Sequence, residues 1–511
     1  MSQSYLTRRD FISFSATVAA LLTFPGCATD MTRLANSPRK PRPIAPGARI
    51  RIAQIGCGGK GFSDVMPHKD TEEIVALCDI DWEGLSRPSQ ATKDAANAPK
   101  KAAKADKAGA PKQAANEPNV KKLMKEFPNA KRYTDFRKML IEMDDQIDAV
   151  IVSTPDHMHF LPAYMAIMLG KHVYVQKPLT QTVGEARELL RLARLNGVVT
   201  QMGNQGHAAE GIRLVKEWIN AGLLGEVREA HIWTNRPIWP QGFQAWPEAD
   251  PVPKGLDWES FIGRSQMRPF SRKIHPFNWR GFQDYGCGAL GDMACHLMDA
   301  AFWGLELGSP TSVELKKVVE PSKVAFPRQA IVEYQFPARG KMPPVKVMWY
   351  EGGLLPDKPG QMEAERTLAK GGQLLIGSKG TVYDGNDYCN SPRFVPESLH
   401  QELGTTGKFP PKTIPRVLPG TPFTGSPYKE WSTAIRAGDR TGCGSNFEYS
   451  VPFTEMVALG TMAILVGVGK KITFDPVSLK TNFPEADALL YPTYRSGWAK
   501  EDMLKGAKII A

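Results

Sequence analysis

The sequence has few cysteines, and their spacing excludes several kinds of site. Seven occur in 511 residues, and no two form the Cys-x-x-Cys pair that suits zinc or thiol redox chemistry. The His-Glu-x-x-His pattern of zinc peptidases is also absent, so we predict no metal site. No tyrosine has a lysine four residues later, which excludes the Tyr-x-x-x-Lys pair of short-chain dehydrogenases. Four cysteines stand in apolar or glycine-rich contexts typical of small core residues: Cys57, Cys78, Cys287 and Cys295.

A basic surface is missing from most of the chain, although the formal net charge is +11. Residues 1–50 contribute +5 and residues 82–132 contribute +7, which leaves −1 for all the others. No basic helix is interleaved with aromatic residues, so we expect no nucleic-acid partner. The length and a hydrophobic content of 42% instead predict a globular protein with two domains.

The first 27 residues are typical of an export signal. Arg8 and Arg9 precede an apolar run from Phe11 to Phe24, which is the order found in a twin-arginine (Tat) signal peptide. That run is short for a membrane span. Cys27 stands where a lipoprotein would be lipidated, although the residues before it fit the cleavage box poorly. We therefore expect a protein exported in folded form, either periplasmic or anchored on the periplasmic side of the membrane.

Residues 28–48 are rich in proline and arginine and have no periodicity, so we predict an extended arm. The arm has two interpretations. It is a tether to a lipidated Cys27, or it is a clasp whose basic side chains contact a bound cofactor. Those side chains are Arg33, Arg39, Lys40 and Arg42.

From residue 49 to residue 204, short apolar strands alternate with amphipathic helices, which predicts a doubly wound parallel sheet of the α/β class. The predicted strands are Arg49–Ile55, Ile74–Asp79, Ile147–Thr154 and Val198–Met202, and the predicted helices are Phe136–Met143, Leu161–Leu169 and Val183–Leu195. Residues 82–119 interrupt this pattern with alanine, lysine and proline. Their low content of large apolar side chains predicts a mobile surface insertion.

A second domain of α+β type is predicted over residues 205–511. Tryptophan, proline and glycine become frequent there, and strands such as Arg228–Trp233 and Ala330–Phe336 alternate apolar with polar residues, as in an open antiparallel sheet. The apolar helix Thr454–Val468 is interrupted by glycines and has charged neighbours, so we predict buried core rather than a membrane span.

The first predicted strand ends in a G-x-G-x-x-G motif, whose loop contains Gly56, Gly58, Gly59 and Gly61. Asp79 closes the second strand 21 residues after Gly58. In this context glycines let the backbone approach a pyrophosphate, and the carboxylate binds ribose hydroxyls. Asp79 favours NAD over NADP, because a 2′-phosphate would meet its negative charge. Asp81 could share or replace that role.

Polar residues also follow two later strands, at the edge of the sheet that faces a bound dinucleotide. After the third strand we predict cofactor contacts from Ser153, Thr154, Pro155 and His159. His157 and His159 could instead begin a metal site, but no carboxylate cluster accompanies them. Another strand, Val173–Gln176, runs into Lys177, and a lysine at that place predicts a functional group.

Together these motifs resemble those of the Gfo/Idh/MocA oxidoreductases, named for glucose–fructose oxidoreductase and inositol dehydrogenase. The glycine loop with Asp79, STPDHMHF, VQKPLT and GDMACHLMD follow that family's order and spacing, from about residue 49 to the C-terminus. The resemblance implies NAD, a homo-oligomer, a cofactor contact from Gln176 where the family usually has glutamate, and a catalytic set of Lys177, Asp292 and His296.

Asp292 and His296 stand four residues apart, so on a helix they share one face. A buried structural pair is the alternative, but the four motifs together favour acid/base chemistry. We expect His296 to be the general base with a pKa near working pH, and Lys177 to stabilise charge on the substrate oxygen. Asp292 would orient the imidazole or bind a neighbouring hydroxyl. Substrate contacts are predicted from Asn235, Arg236, Trp239 and Arg280.

The expected function is NAD-dependent oxidation of a hydroxyl on a sugar, a glycoside or a cyclitol. One alternative is a redox-neutral glycosidase, in which a sugar carbon is oxidised only while the glycosidic bond is eliminated. The other alternative is a periplasmic sugar-binding protein without catalysis.

Overall fold

The computed structural model describes residues 39–84, 117–416 and 426–505. The predicted signal peptide, the first part of the arm and most of the predicted insertion lie outside the described residues.

The amino-terminal part forms a parallel sheet of six strands in the order β3-β2-β1-β4-β5-β6. The strands are β1 (Arg51–Ile55), β2 (Glu73–Cys78), β3 (Lys131–Tyr133), β4 (Ala149–Val152), β5 (His172–Val175) and β6 (Thr200–Met202). All neighbouring pairs are parallel, which confirms the predicted doubly wound fold. The strand order reverses between β1 and β4, and a ligand crevice forms at such a point.

Five helices accompany this sheet in the described residues: α1 (Gly59–Val65), α2 (Asn119–Glu126), α3 (Phe136–Glu142), α4 (Phe160–Met168) and α5 (Val183–Asn196). The three predicted helices are confirmed to within one residue at each end. Gly197 caps the end of α5, and its φ of +75° is a left-handed conformation that glycine adopts without strain.

The second sheet has nine strands in the order β13-β12-β11-β7-β10-β9-β8-β14-β15. They are β7 (Val227–Trp233), β8 (Ser312–Val319), β9 (Gln329–Phe336), β10 (Val345–Tyr350), β11 (Gly372–Gly377), β12 (Thr381–Asp384), β13 (Arg393–Val395), β14 (Lys471–Asp475) and β15 (Lys480–Thr481). Neighbouring strands run antiparallel except for β7 and β10, which are parallel. The sheet is therefore mixed. Its central strand β7 pairs with β10 and β11, which come much later in the chain.

The remaining helices of the described chain are α6 (Glu210–Asn220), α7 (Trp258–Ile262), α8 (Gly288–Leu297), α9 (Asp299–Gly304), α10 (Glu397–Thr405), α11 (Pro427–Ala437), α12 (Phe447–Val466) and α13 (Pro484–Asp487). α12 is long and apolar enough to cross a membrane, yet 72% of its most apolar stretch is buried inside the protein. It packs against α5 and α8, which confirms the predicted core helix.

α11 returns the chain to the first sheet. Trp431 and Ile435 belong to the same apolar cluster as Ile52 of β1 and Tyr174 of β5. Ser426 caps this helix by accepting a hydrogen bond from the backbone N–H of Lys429. The core that lies beneath the cofactor crevice is therefore completed by residues more than 200 positions beyond the end of β6.

The described part of the arm lies on the opposite edge of the first sheet from the glycine loop. Arg39 pairs with Asp144 at 2.6 Å, and Arg42 pairs with Asp148 at 3.1 Å, both just before β4 begins. Lys40 donates to a backbone oxygen near the end of α5. The clasp interpretation is wrong for these three basic residues, because cofactor-binding groups gather at the carboxyl ends of the strands. The fourth lies outside the described residues.

The six cysteines in the described residues are all free and buried: Cys57, Cys78, Cys287, Cys295, Cys389 and Cys443. This confirms the predicted core role of the first four. Burial raises the pKa of the Cys57 thiol well above its usual value, which makes it a poor nucleophile.

Candidate active site

The glycine loop leaves β1 at the carboxyl edge of the first sheet and enters α1. Gly56 has φ +81°, and a Cβ there would lie 2.6 Å from the carbonyl oxygen of Ser153. A Cβ on Gly61 would lie 1.7 Å from the carbonyl oxygen of Gly56. At Gly59 a Cβ would meet no atom within 4 Å, so the loop opens onto free space. These features fit a dinucleotide, whose pyrophosphate needs close backbone approach.

Asp79 lies directly behind this loop and is fixed by the backbone. One carboxylate oxygen accepts from the N–H of Cys57 at 2.6 Å and the other from the N–H of Asp81 at 2.9 Å. Burial raises the pKa of Asp79 to about 6, against the effect of those hydrogen bonds. The group is therefore mostly ionised at pH 7 to 8, which fits the predicted contact with ribose hydroxyls. Asp81 instead bridges to Leu256 through its backbone.

Ser153 and Gln176, two of the predicted cofactor residues, meet at the buried carboxylate of Asp64. Ser153 Oγ donates to Asp64 Oδ2 at 2.7 Å, and Gln176 Nε2 donates to the same oxygen at 2.9 Å. The other oxygen pairs with Lys60 and accepts from the hydroxyl of Tyr428 at 2.9 Å. The sequence patterns did not indicate Asp64 or Tyr428, although the four-residue spacing of Lys60 and Asp64 was a usable signal.

Thr154 and His159 use their polar atoms within the loop that follows β4. The Thr154 hydroxyl donates to the carbonyl oxygen of Met158 at 2.9 Å. The two ring nitrogens of His159 lie 2.8 Å from the Thr154 oxygen and 2.7 Å from the Pro178 oxygen. Pro155 precedes a short 3₁₀ turn. These contacts tie the loop to the turn after Lys177, so the two residues hold the crevice in shape.

His157 is fully buried and joins the same loop to the second part of the chain. Its ring nitrogens lie 3.1 Å from the carbonyl oxygen of Tyr285 and 2.9 Å from that of Phe261. Burial lowers the pKa of His157 to about 3. Among residues 39–84, 117–416 and 426–505, no group of three histidine, cysteine or acidic side chains could hold a metal ion.

Lys177 and Asp292 come together across the crevice. Lys177 Nζ donates to the carbonyl oxygen of Asp292 at 2.6 Å and to its Oδ1 at 3.1 Å. Arg280 Nε donates to the same Oδ1 at 3.2 Å. Burial alone would raise the pKa of Asp292, but Lys177 and Arg280 lower it to about 2. A permanently ionised carboxylate therefore holds two cations at one place.

His296 lies one turn along α8 from Asp292 and faces the ring of Tyr388, whose centroid is 4.9 Å away. Its Nδ1 is buried and has no hydrogen-bond partner among the described residues. Asp292 therefore does not orient the imidazole through that atom, and its other predicted role, binding a neighbouring hydroxyl, stays a prediction. Burial, with Lys177, lowers the pKa of His296 to about 3, so the predicted pKa near working pH is wrong. The neutral ring keeps an unpaired polar atom that a ligand hydroxyl would satisfy.

Arg280 is the predicted substrate residue that lies nearest to the charged pair. Its guanidinium stacks 4.3 Å from the ring centroid of Trp279 and 4.5 Å from that of Phe277. Arg236 contacts Asp387 at 3.2 Å, next to the tyrosine that faces His296. The aromatic rings fix the direction of the Arg280 donors toward the crevice.

Asn235 and Trp239 line a neighbouring cavity of about 310 Å³, together with Gln241, Glu320 and Arg328. Trp239 is buried and donates from Nε1 to the side-chain oxygen of Gln241 at 2.9 Å. The predicted substrate residues thus divide between the charged pair and this polar cavity.

Asp156 is a buried acid within the STPDHMHF motif, and no role was predicted for it from the sequence. Its Oδ2 accepts from the N–H of Cys287 at 3.1 Å, directly before α8 begins. Burial raises the pKa of Asp156 to about 7, although Lys177 and Arg280 lower it. Asp156 thus joins the loop after β4 to the helix that carries Asp292.

Replacing Asp156 with asparagine is expected to change how stability depends on pH. Its folded-state pKa of about 7 lies above the ordinary value of 3.8. The contribution of Asp156 to stability should therefore fall from about pH 4 to pH 7, by about 1.4 kcal/mol per pH unit. Asparagine cannot titrate, so this contribution should vanish in Asp156→Asn. Denaturant unfolding from pH 5 to pH 8 measures it, with the exposed substitution Asp357→Asn as control. Parallel curves for wild type and Asp156→Asn would contradict the assignment.

Comparison with known proteins places both parts of the chain. Residues 50–204 match a sequence model of the Gfo/Idh/MocA family. Its description is an oxidoreductase family with an NAD-binding Rossmann fold. The model described as that family's C-terminal alpha/beta domain matches residues 211–336. An uncharacterised oxidoreductase of Schizosaccharomyces pombe is 28% identical over 221 residues, which is 42% of this chain and 49% of that protein.

The 2,7-anhydro-N-acetylneuraminate hydratase of Mediterraneibacter gnavus is 27% identical over 121 residues, 24% of this chain and 29% of its own length. These alignments span about half or less of the curated relatives. The crystal structure of an inositol dehydrogenase homologue from Azotobacter vinelandii, complexed with NADH and myo-inositol, matches with a TM-score of 0.50 at 17% identity. That match covers 84% of this chain and 98% of the other, and it shows a shared fold.

Proposed function

This chain belongs to the Gfo/Idh/MocA oxidoreductase family, with its NAD-binding Rossmann domain and C-terminal α/β domain, and we propose that it oxidises a hydroxyl-bearing carbon of a sugar, glycoside or cyclitol. The observation that carries the proposal is the contact of Lys177 Nζ with Asp292 at 3.1 Å, beside a buried neutral His296. This cluster stands at the carboxyl ends of the strands, where the glycine loop also opens.

When bound, NAD supplies the hydride acceptor. His296 accepts the hydroxyl proton on its neutral imidazole as the carbon is oxidised. Lys177 donates to the same substrate oxygen and stabilises the negative charge that develops there. Asp292 keeps Lys177 protonated and directed into the crevice, and Arg280, stacked on its aromatic neighbours, donates to an adjacent hydroxyl.

The substrate class is tested by turnover on a panel of neutral polyols. We suggest methyl glycosides, glucose disaccharides, 1,6-anhydroglucose and myo-inositol, each with NAD, read by absorbance of NADH. Oxidation of at least one panel member is the expected result. Binding of a panel member without any oxidation would instead support the sugar-binding alternative.

A redox-neutral reaction at the same site is the second candidate. The relative named 2,7-anhydro-N-acetylneuraminate hydratase favours it, because hydration, the reaction in its name, involves no net oxidation. Release of free sugar from a glycoside without accumulation of NADH would establish this reaction. Accumulation of NADH in proportion to oxidised product would establish the dehydrogenase.

The preference for NAD is proposed to rest on Asp79. Replacing it with alanine removes the negative charge behind the loop, so NAD affinity should fall by about tenfold and discrimination against NADP should relax. Titration of cofactor-free protein with both dinucleotides measures the two changes. Glu83→Ala, an exposed acid on the same side of the sheet, is the control. Unchanged preference in Asp79→Ala would transfer the role to Asp81 or to backbone groups.

We further propose that the protein is exported by the Tat route, works as a homo-oligomer and carries a lipid anchor on Cys27. Replacing Arg8 and Arg9 with lysine should leave folded protein in the cytoplasm, and Cys27→Ser should release exported protein from the membrane. Cell fractionation measures both effects, and native mass measures the oligomer. Unaltered export of the lysine variant would rule out the Tat signal.

A further inference from the structure

Asp64 is a carboxylate with no solvent exposure that lies beneath the crevice. It contacts four separate parts of the chain: Lys60 on its own helix, Ser153 after β4, Gln176 after β5 and Tyr428 on α11. Only Lys60 among these partners carries a charge. The contacts therefore gather the ends of two strands and two helices around one negative group.

Gln176 links this carboxylate to the residue that follows it. Its Nε2 donates to Asp64 Oδ2 at 2.9 Å, and its Oε1 accepts from the backbone N–H of Lys177 at 3.4 Å. Gly203 leaves room for the amide, because a Cβ there would lie 2.4 Å from Gln176 Nε2. The side chain is 4% exposed, so its orientation is held by these contacts.

We propose that Asp64 is a positioning residue, which orients Gln176 and through it the backbone of Lys177, and that position 176 must therefore carry an amide in this chain. The expected effect on turnover rests on the function proposed above, because it assumes that Lys177 takes part in the reaction. The pairing of Asp64 with Gln176 stands on the contacts alone.

Charge explains why an amide is needed. A glutamate at position 176 would place a second carboxylate about 3 Å from Asp64 in a buried site, and two like charges at that distance cannot both remain ionised. One of the two carboxyl groups would take up a proton or move away. The backbone N–H of Lys177 would then lose the fixed acceptor that Gln176 Oε1 provides. Lys60 could neutralise only one of the two.

Two tyrosines near Asp64 stay neutral at ordinary pH. Tyr428 and Tyr174 both interact electrostatically with its carboxylate. Burial raises the pKa of both tyrosines well above the usual value, so both stay neutral between pH 5 and pH 9. A difference between the pH profiles of Gln176→Glu and wild type in that range can thus be assigned to the carboxyl groups at positions 64 and 176.

The test exchanges the two groups without changing their size. Gln176→Glu adds the second carboxylate, Asp64→Asn removes the first, and the double variant returns one carboxylate and one amide in reversed order. Gln401→Glu adds the same charge at an exposed position on α10 and serves as control. Full-length protein is used throughout.

Two readouts separate positioning from mere support of the fold. The first is kcat/KM for the best panel substrate from pH 5 to pH 8.5. The second is the rate at which acetic anhydride acetylates Lys177, followed by peptide mass spectrometry, which needs no substrate and reports the surroundings of the amine. Circular dichroism confirms that each variant is folded.

We expect Gln176→Glu to lower kcat/KM at pH 8 by about tenfold or more, with recovery toward pH 5, because a neighbouring like charge shifts a carboxyl pKa by one to three units. The acetylation rate of Lys177 should change over the same pH range. The exchanged double variant should return to within about threefold of wild type in both readouts, and Gln401→Glu should match wild type.

Equal pH profiles for Gln176→Glu and wild type would overturn the proposal. A double variant no better than the worse single variant would overturn it as well. If wild-type protein turned over no panel member, the proposed function would fail, and acetylation of Lys177 would still decide the positioning role. If Gln176→Glu does not fold, the same two readouts are compared between Asp64→Asn and the double variant. A double variant that is closer to wild type than Asp64→Asn would support the positioning role, and one that is no closer would overturn it.

Discussion

Replacing Lys177 with alanine is expected to lower turnover by roughly 10³-fold, while the protein remains folded and still binds NAD. The ammonium group is the donor closest to Asp292, and in the proposed reaction it stabilises charge on the substrate oxygen, a contribution worth about 10²–10³ in rate for a single donor. Asp292 would also lose one of its two cations. We expect kcat to fall more than KM rises, because the stabilised charge develops in the transition state.

Lys171 provides a matched control, since it stands just before β5 and Lys177 just after it. Lys171 is buried and, like Lys177, pairs with a carboxylate, here Asp144 at 2.9 Å. Lys171→Ala should therefore lower stability and leave turnover per folded molecule unchanged. If Lys177→Ala raised KM alone, Lys177 would be a binding group; if both variants had normal kcat, the catalytic assignment would fail.

Replacing His296 with alanine is expected to lower turnover by roughly 10²-fold, the lower end of the 10²–10⁴ range for a general base, because a pKa of about 3 makes the imidazole a weak base. Because burial and Lys177 lower its pKa to about 3, the imidazole is neutral throughout the range in which the protein is assayed. With NAD at saturation, His296 should consequently cause no loss of wild-type kcat/KM near pH 6.5 on acidification. Steady-state kinetics from pH 5 to pH 9 measure the rate and the profile together.

The control for this substitution is His231→Ala. His231 lies on β7 and contacts the hydroxyl of Tyr350 at 2.9 Å, away from Lys177 and Asp292. Its loss should leave the rate within about twofold of wild type. Near-normal turnover in His296→Ala would remove the acid/base role, and an acid limb at pH 6.5 that disappears in that variant would show that the imidazole titrates normally.

The first sheet was predictable because its signals are local. Apolar runs of four to six residues, a glycine motif and an acidic residue at the next strand end together identify β1, α1 and β2. Lys177, Asp292 and His296 were identified by resemblance, and the structure places Lys177 against Asp292 although 115 residues separate them.

The remaining features depend on contacts that no local pattern records. Tyr428 reaches Asp64 across 364 residues, and α11 joins the first core after the whole second sheet has been built. The pKa of His296 follows from burial beneath neighbouring elements rather than from its own sequence position. Burial and long-range pairing are properties of the folded chain, so the sequence alone indicated the residue types and not their state.

The most direct test of the proposed chemistry follows hydride itself. Panel substrates deuterated on the ring carbons are mixed with NAD-loaded protein, quenched within one turnover, and the nicotinamide is examined by mass spectrometry. The account predicts deuterium on the reduced cofactor with wild-type protein and with Lys171→Ala, and little with Lys177→Ala or His296→Ala. Product formed by wild-type protein without any deuterium on the nicotinamide would contradict it.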